Sequence, residues 1–347
     1  MKKTLLISGL LLGSFFSLNA QVLESQNFNA LTIGNVGTAT TGDVAGQGGY
    51  FTFIDAGGTN ASNSSFQIVT DAAPGRQNVL QIIGSNAATG TRLMFKDGLN
   101  DAWGSRTAGE IIQLEFSFFT GPVTTSTSTL RPAIFGADGN PIGGFNFAMN
   151  TKILQGYAWG DFNDTGTPGP YVITLGAAPV VLPANTWVKV GFAYDTLDGR
   201  FQWKCNDVTP AVNGGLDGDG GYEPDEFDIL YFASAQATTN AVSSTVKFDD
   251  YSLTAVPAIN LLSVDKVVAD NNFSVYPNPA TNVVNIKSSV NTSMQTVSIT
   301  DLNGRTVKTN TVSGNEAQIN ISDLASGVYM MNINSDEGSV TKKIVKK

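Results

Sequence analysis

The sequence predicts an all-β protein: a large two-sheet sandwich of jelly-roll type, followed by a smaller β sandwich at the C-terminal end. Three observations predict it. Apolar and polar residues alternate along many short segments, the pattern of strands with one buried face. Glycine is abundant, 37 of 347 residues, and it clusters with Thr, Ser and Asn between those segments, where turns require it. Helical periodicity is almost absent and no segment recurs at a fixed period, which favours a sandwich over a propeller or solenoid.

The clearest strand is Ile112 to Phe119, where Ile112, Leu114, Phe116 and Phe118 share one face while Gln113, Glu115 and Ser117 share the other. Val188, Val190, Phe192 and Tyr194 repeat the pattern, as do Phe201, Trp203 and Cys205 after the Asp198-Gly199 turn. Further strands are expected at 50–54, 66–70, 79–83, 93–95, 171–175, 229–232 and 246–253. Residues 21–256 therefore form one large β payload. Residues 257–270 open on a strand-breaking proline, lack periodicity and read as a linker.

Lys2 and Lys3 precede an apolar run from Leu5 to Phe16, and Leu18-Asn19-Ala20 supplies a small residue before Gln21. These are the parts of a secretory signal peptide over residues 1–20. The run is too short to cross roughly 30 Å of hydrocarbon at about 1.5 Å per residue, and no other stretch approaches transmembrane length. Cys205 is the only cysteine, so no disulfide forms within the chain.

Residues 271–347 read as about seven short strands, an Ig-like density. Asn303-Gly304 supplies a tight hairpin turn between two of them. The ordered blocks are Val275-Tyr276-Pro277-Asn278-Pro279, Asp301-Leu302-Asn303-Gly304-Arg305, Leu324-Ala325-Ser326-Gly327-Val328-Tyr329 and the basic end Lys342-Lys343-Ile344-Val345-Lys346-Lys347. Together they resemble the type A C-terminal sorting domain of the type IX secretion system. The resemblance implies Sec export, recognition of the folded tail by the outer-membrane translocon and its sorting peptidase, and tail removal. Release or attachment at the outer surface of a Gram-negative bacterium would follow.

Charge separates the two parts. Residues 21–270 carry 24 Asp and Glu against 11 Lys and Arg, whereas residues 271–347 carry 5 against 7. An acidic payload without a basic patch argues against nucleic acid and anionic lipid as partners, and suits Ca2+ and neutral sugars. The segment from Asn185 to Trp203 resembles the paired strands of concanavalin-like and laminin-G-like domains. The closing segment Val246 to Leu253 resembles the final strand of those domains and of cleaved-adhesin modules.

Chemistry has few places to sit. Asp249-Asp250 breaks strand phase, because Val246 and Phe248 share one face while Tyr251 and Leu253 continue on the other; a bulge at the aspartates reconciles them. In the jelly rolls resembled here, a Ca2+ commonly joins the closing strand to the N-terminal one. That makes Asp249, Asp250 and Glu24 candidate structural ligands, against a reading as solvated edge carboxylates. Asp217 and Asp219, in the acidic run 217–228, are further metal candidates, although Tyr222 and Asp228 depart from an EF-hand pattern. Tyr157 and Trp159 share a face and lead into the Asp161–Asp164 loop, and Trp103 sits in a polar loop near Arg106, so these three aromatics are the candidate sugar platforms. Trp187 and Trp203 read as core.

The chain contains no histidine, which removes His-dependent triads and metal sites together. No carboxylate pair at i, i+2 falls on a strongly alternating strand. The leading reading is a noncatalytic glycan or surface-polymer binder, adhesin-like, with structural calcium. The alternatives are a polysaccharide-active hydrolase or lyase using Glu115 or Asp161 as acid or base, and a structural matrix protein.

Overall fold

The computed structural model describes residues 20–347 except 56, 164, 210, 234–239, 263–272, 289–292, 302–305 and 336–337. Residues 1–19 of the proposed signal peptide, the later part of the linker and the Asn303-Gly304 turn lie outside the described residues.

Strands between Gln21 and Val256 form two antiparallel sheets. The nine-stranded sheet runs Val212–Asp217, Arg200–Cys205, Trp187–Asp195, Ile111–Phe119, Thr245–Val256, Asn78–Ile83, Phe66–Thr70 and Gly34–Asn35, with Gln21–Gln26 also pairing to Thr245–Val256. The eight-stranded sheet runs Gly169–Ile173, Ile153–Gly160, Pro141–Ala148, Ser128–Gly136, Pro224–Ala233, Thr91–Lys96 and Phe51–Ile54, with Val180–Val181 beside Ile153–Gly160. This is the jelly-roll sandwich that the alternation predicts.

Inner faces of both sheets meet in one aromatic core. Phe116 stacks on Phe248 at 4.8 Å between ring centroids and meets Phe145 edge-on at 5.7 Å. Trp203 lies parallel to Phe201 at 6.0 Å, and its indole N–H donates to the Gly144 carbonyl at 2.7 Å, tying one sheet to the other. Glycine at 156 is required for this contact: a Cβ there would stand 2.7 Å from Trp203 Cε2. Cys205 is buried, as its alternation with Trp203 predicts, and burial pushes its thiol up to about 11. Trp187 corrects the sequence reading. It stands on the outer side of its strand, with the Arg76 guanidinium 4.3 Å above its ring.

Several strands escaped the periodicity argument, four of them for identifiable local reasons. Ser128–Gly136 carries Pro132 in its interior, where a ladder donor is missing; its pairing to Pro141–Ala148 holds at Leu130–Phe147 and Ala133–Gly144 without partners at Arg131 or Pro132. Pro141–Ala148 and Val212–Asp217 each contain a Gly-Gly pair. Gln21–Gln26 is too polar to alternate clearly.

The start of the segment read as a linker is docked. Gln113 exchanges two hydrogen bonds with Asn260, at 2.6 and 2.7 Å, and Leu262 N–H donates to Glu115 at 2.6 Å. Lys204 donates to the Leu261 carbonyl at 2.7 Å, and Leu261 packs with Ile111, Ala193 and Val256. This strap covers part of the outer face of the nine-stranded sheet.

From Phe273 onward the chain forms a three-stranded sheet (Phe273–Tyr276, Val283–Ser288, Glu316–Asn320) and a four-stranded sheet (Thr306–Gly314, Met294–Thr300, Gly327–Ser335, Gly338–Lys346). Val284, Ile286, Ile299, Ile319, Met331 and Ile344 fill the space between them. Replacing Trp203 by Ala should lower payload stability by about 3–5 kcal/mol, measured as a shift of the urea midpoint.

Candidate functional site

The outer face of the eight-stranded sheet collects the polar side chains that its inner face excludes. Leu154 and Ala158 enter the core, so Gln155, Tyr157 and Trp159 point the other way. Leu130 and Ile134 likewise turn inward and leave Arg131 outside. Beside Tyr157 on the next two strands stand Gly144 and Ala133, small residues across which the Tyr157 ring reaches Arg131.

The Arg131 guanidinium is sandwiched, 4.1 Å from the Tyr157 ring and 4.7 Å from the Phe232 ring. Its Nε and Nη2 donate to Asn146 Oδ1 at 3.2 and 3.0 Å, and Asn146 Nδ2 donates to Gln155 Oε1 at 3.3 Å. The Tyr157 hydroxyl is hydrogen-bonded to the same guanidinium, and burial raises the phenol above its ordinary value. Among the described residues no carboxylate forms an ion pair with Arg131. The result is a fixed cation flanked by aromatic and amide groups, whose chemistry can pair with a carboxylate.

The same face carries an acid pair from the end of the acidic run 217–228. Pro224–Ala233 is a strand, and Phe227, Ile229 and Tyr231 on its inner side leave Glu226 and Asp228 together on its outer side. Asp228 is 6% exposed and hydrogen-bonded to Glu226. Burial and the neighbouring carboxyl push Asp228 up to about 9, so the pair holds a proton at neutral pH.

The other sequence candidates separate from this face or serve the framework. Trp103, on the short helix Leu99–Gly104, is 2% exposed; its indole N–H donates to Glu223 and Arg106 covers its ring at 3.8 Å. Glu115 accepts from Lys189 at 2.7 Å and from Leu262 N–H, which makes it an anchor of the strap. Asp161 accepts the N–H groups of Thr165 and Gly166, and these bonds hold its carboxyl below the usual range.

The candidate calcium ligands are also engaged by the protein. The register shift expected at Asp249-Asp250 is present, and Asp250 has a positive φ of 49°. Arg76 Nη1 lies 2.6 Å from Asp249 and 2.7 Å from Asp250, relieving their repulsion. Glu24 instead accepts from Tyr251, whose hydroxyl also meets that of Tyr50. Asp217 faces Arg200 at 3.5 Å, and the Asp219 carboxylate accepts the Asp161 N–H at 3.3 Å. Among the described residues no three acidic, histidine or cysteine side chains converge on one point. With a guanidinium already between its two aspartates, this donor set does not fit a Ca2+ cage of six to eight oxygens.

In the tail, Asn278 of the Tyr-Pro-Asn-Pro block donates to the Lys343 carbonyl at 2.8 Å and accepts from Val345 N–H at 2.9 Å. The first and last sequence blocks thus form one surface. A family model described as the secretion system C-terminal sorting domain matches residues 274–347. Residues 274–347 are a type IX sorting domain.

The sorting domain directs export to the cell surface or extracellular space. No helix among the described residues is long and apolar enough to cross a membrane. No curated protein matches the sequence. Among solved structures, alginate lyase vAL-1 from Chlorella virus is similar at 11% identity, over 68% of this chain and 100% of that one, with a TM-score of 0.44. The catalytic domain of a glycoside hydrolase family 131 protein from Coprinopsis cinerea is similar at 12% identity, over 69% of this chain and 96% of that one, at 0.43. Alginate lyase A1-II', a member of polysaccharide lyase family 7, is similar at 12% identity, over 57% and 86%, at 0.39. All three likenesses are distant.

Because the folded state keeps a proton on Asp228 that an unfolded chain releases near 3.8, stability should fall as pH rises from about 4 towards about 9. Asp228→Asn should flatten that slope, measured as urea midpoints at acidic and alkaline pH.

Proposed function

We propose that the payload, carried outside the cell by its sorting domain, is a noncatalytic receptor for carboxylated glycans. The observation that carries this reading is Arg131: a rigid guanidinium on an outer sheet face, oriented by Asn146, stacked by Tyr157 and Phe232, and without an ion-paired carboxylate among the described residues. Arginine stays charged throughout the accessible pH range, and its neutral partners Asn146 and Tyr157 orient that charge without balancing it, so a ligand anion can. A uronic acid offers a planar carboxylate to the guanidinium fork and hydroxyls to Gln155 and Asn146, while Trp159 lies on the same strand face as Tyr157. The overall negative charge of the payload suits a neutral sugar; the local cation shifts the preference to an acidic one. Tyr157 and Trp159 remain in the site, and Trp103 leaves it.

A second reading, a polysaccharide-active enzyme, is favoured by the Glu226–Asp228 pair, which keeps a transferable proton on the same sheet face. Depolymerisation of a uronate polymer by the wild type, abolished in Asp228→Asn, would replace the binding reading. For the binding reading, Arg131→Gln should weaken affinity for uronate oligosaccharides by roughly tenfold or more in calorimetric titration, with an unchanged melting temperature. Equal affinity of the two proteins would contradict it.

A further inference from the structure

The interior of the payload is polar at one end, and that end contains a charge without an ion-paired partner among the described residues. Arg92 lies on Thr91–Lys96, opposite Tyr231 on one neighbouring strand and Ile54 on the other, and its side chain is 0% exposed. Its hydrogen bonds are few and long: Nη1 to the Thr91 carbonyl at 3.3 Å and Nη2 to Asn60 Oδ1 at 3.3 Å, both neutral acceptors. Its Nε has no hydrogen-bond partner among the described residues. Among the described residues no carboxylate forms an ion pair with it.

The surroundings are built from neutral polar groups. Asn60 spends its amide on the Gly84 carbonyl and Ser243. Tyr231, Ser244 and Ser126 form a hydroxyl chain, and Ser126 continues to Ser128 and Asn240. Thr127, whose N–H donates to Asn240, has a buried hydroxyl that is likewise unpartnered. These groups solvate but do not neutralise.

A lysine in this position could shed its proton; a guanidinium cannot. An uncompensated buried charge is therefore the least favourable arrangement open to Arg92, and a counter-ion removes that cost. From the burial of Arg92, its open Nε and the absence of an ion pair, we infer that this polar end binds a small monovalent anion, of chloride size, against the Arg92 guanidinium. A neutral water would satisfy Nε but leave the charge. The anion does both. The site is separate from the Arg131 face, since Arg92 points between the sheets and Arg131 away from them.

The test uses the full chain. Its melting temperature in sodium chloride should exceed that in sodium gluconate of equal ionic strength by about 3 °C or more, because only the folded state holds the ion. Arg92→Gln should abolish the difference. Crystals transferred to bromide should show an anomalous peak beside Arg92 Nε, a measurement that needs no variant to fold. Identical melting temperatures in the two salts, or a peak height of water without anomalous signal, would overturn the inference.

Discussion

Only alternate residues of a strand can enter the space between two sheets, and this sandwich gives most of those positions to large apolar side chains. Phe116, Phe145, Phe192, Trp203 and Phe248 interlock there, and the Trp203 bond to the Gly144 carbonyl fixes one sheet against the other. Recognition chemistry must therefore stand on the outer faces. On the nine-stranded sheet, residues 259–262, the Lys189–Glu115 pair and the Arg76–Asp249–Asp250 cluster occupy much of that surface. The eight-stranded sheet keeps a cation, a phenol, two amides and a carboxyl pair on its outer side, and the functional reading follows from that asymmetry.

Much of the fold was legible because strands with a clean period announce themselves. Ile111–Phe119, Trp187–Asp195 and Phe66–Thr70 fall within a residue of their expected bounds, and the described residues of the tail form seven strands, where about seven were expected. The site was far less legible, for a connected reason. Arg131 lies next to the proline that disguises its strand, and Asn146 follows the Gly-Gly pair that disguises its neighbour. Glu226 and Asp228 were not placed on a strand because the run from Asp217 to Asp228 is so rich in acid and glycine. The one usable signal was the alternation of Leu130 and Ile134 with Arg131 between them. The outward direction of Tyr157 could be read because Tyr157 and Trp159 alternate visibly; the burial of Trp103 could not, because its ring is enclosed on a short helix rather than presented by a loop.

Total charge describes this payload poorly at short range. Carboxylates outnumber cations about two to one, yet Arg92, Arg131 and Lys152 form no ion pair among the described residues. Lys152 instead donates to the Thr120 and Pro122 carbonyls, at 2.7 and 2.8 Å, and acts as a structural clasp. The acidic groups are used elsewhere, capping turns, holding the strap and pairing with each other. In the sorting domain the same economy of contacts brings distant blocks together, as Asn278 grips the last strand next to its lysines.

The indole N–H resonances of the four tryptophans report on all of these surfaces at once. Trp159 stands on the outer face of the eight-stranded sheet, Trp187 on that of the nine-stranded sheet, while Trp203 and Trp103 are enclosed. Titrating an oligouronate into the labelled chain should move the Trp159 signal and leave the other three in place. Movement of the Trp187 signal alone, or of none, would contradict the assignment of ligand recognition to the Arg131 face.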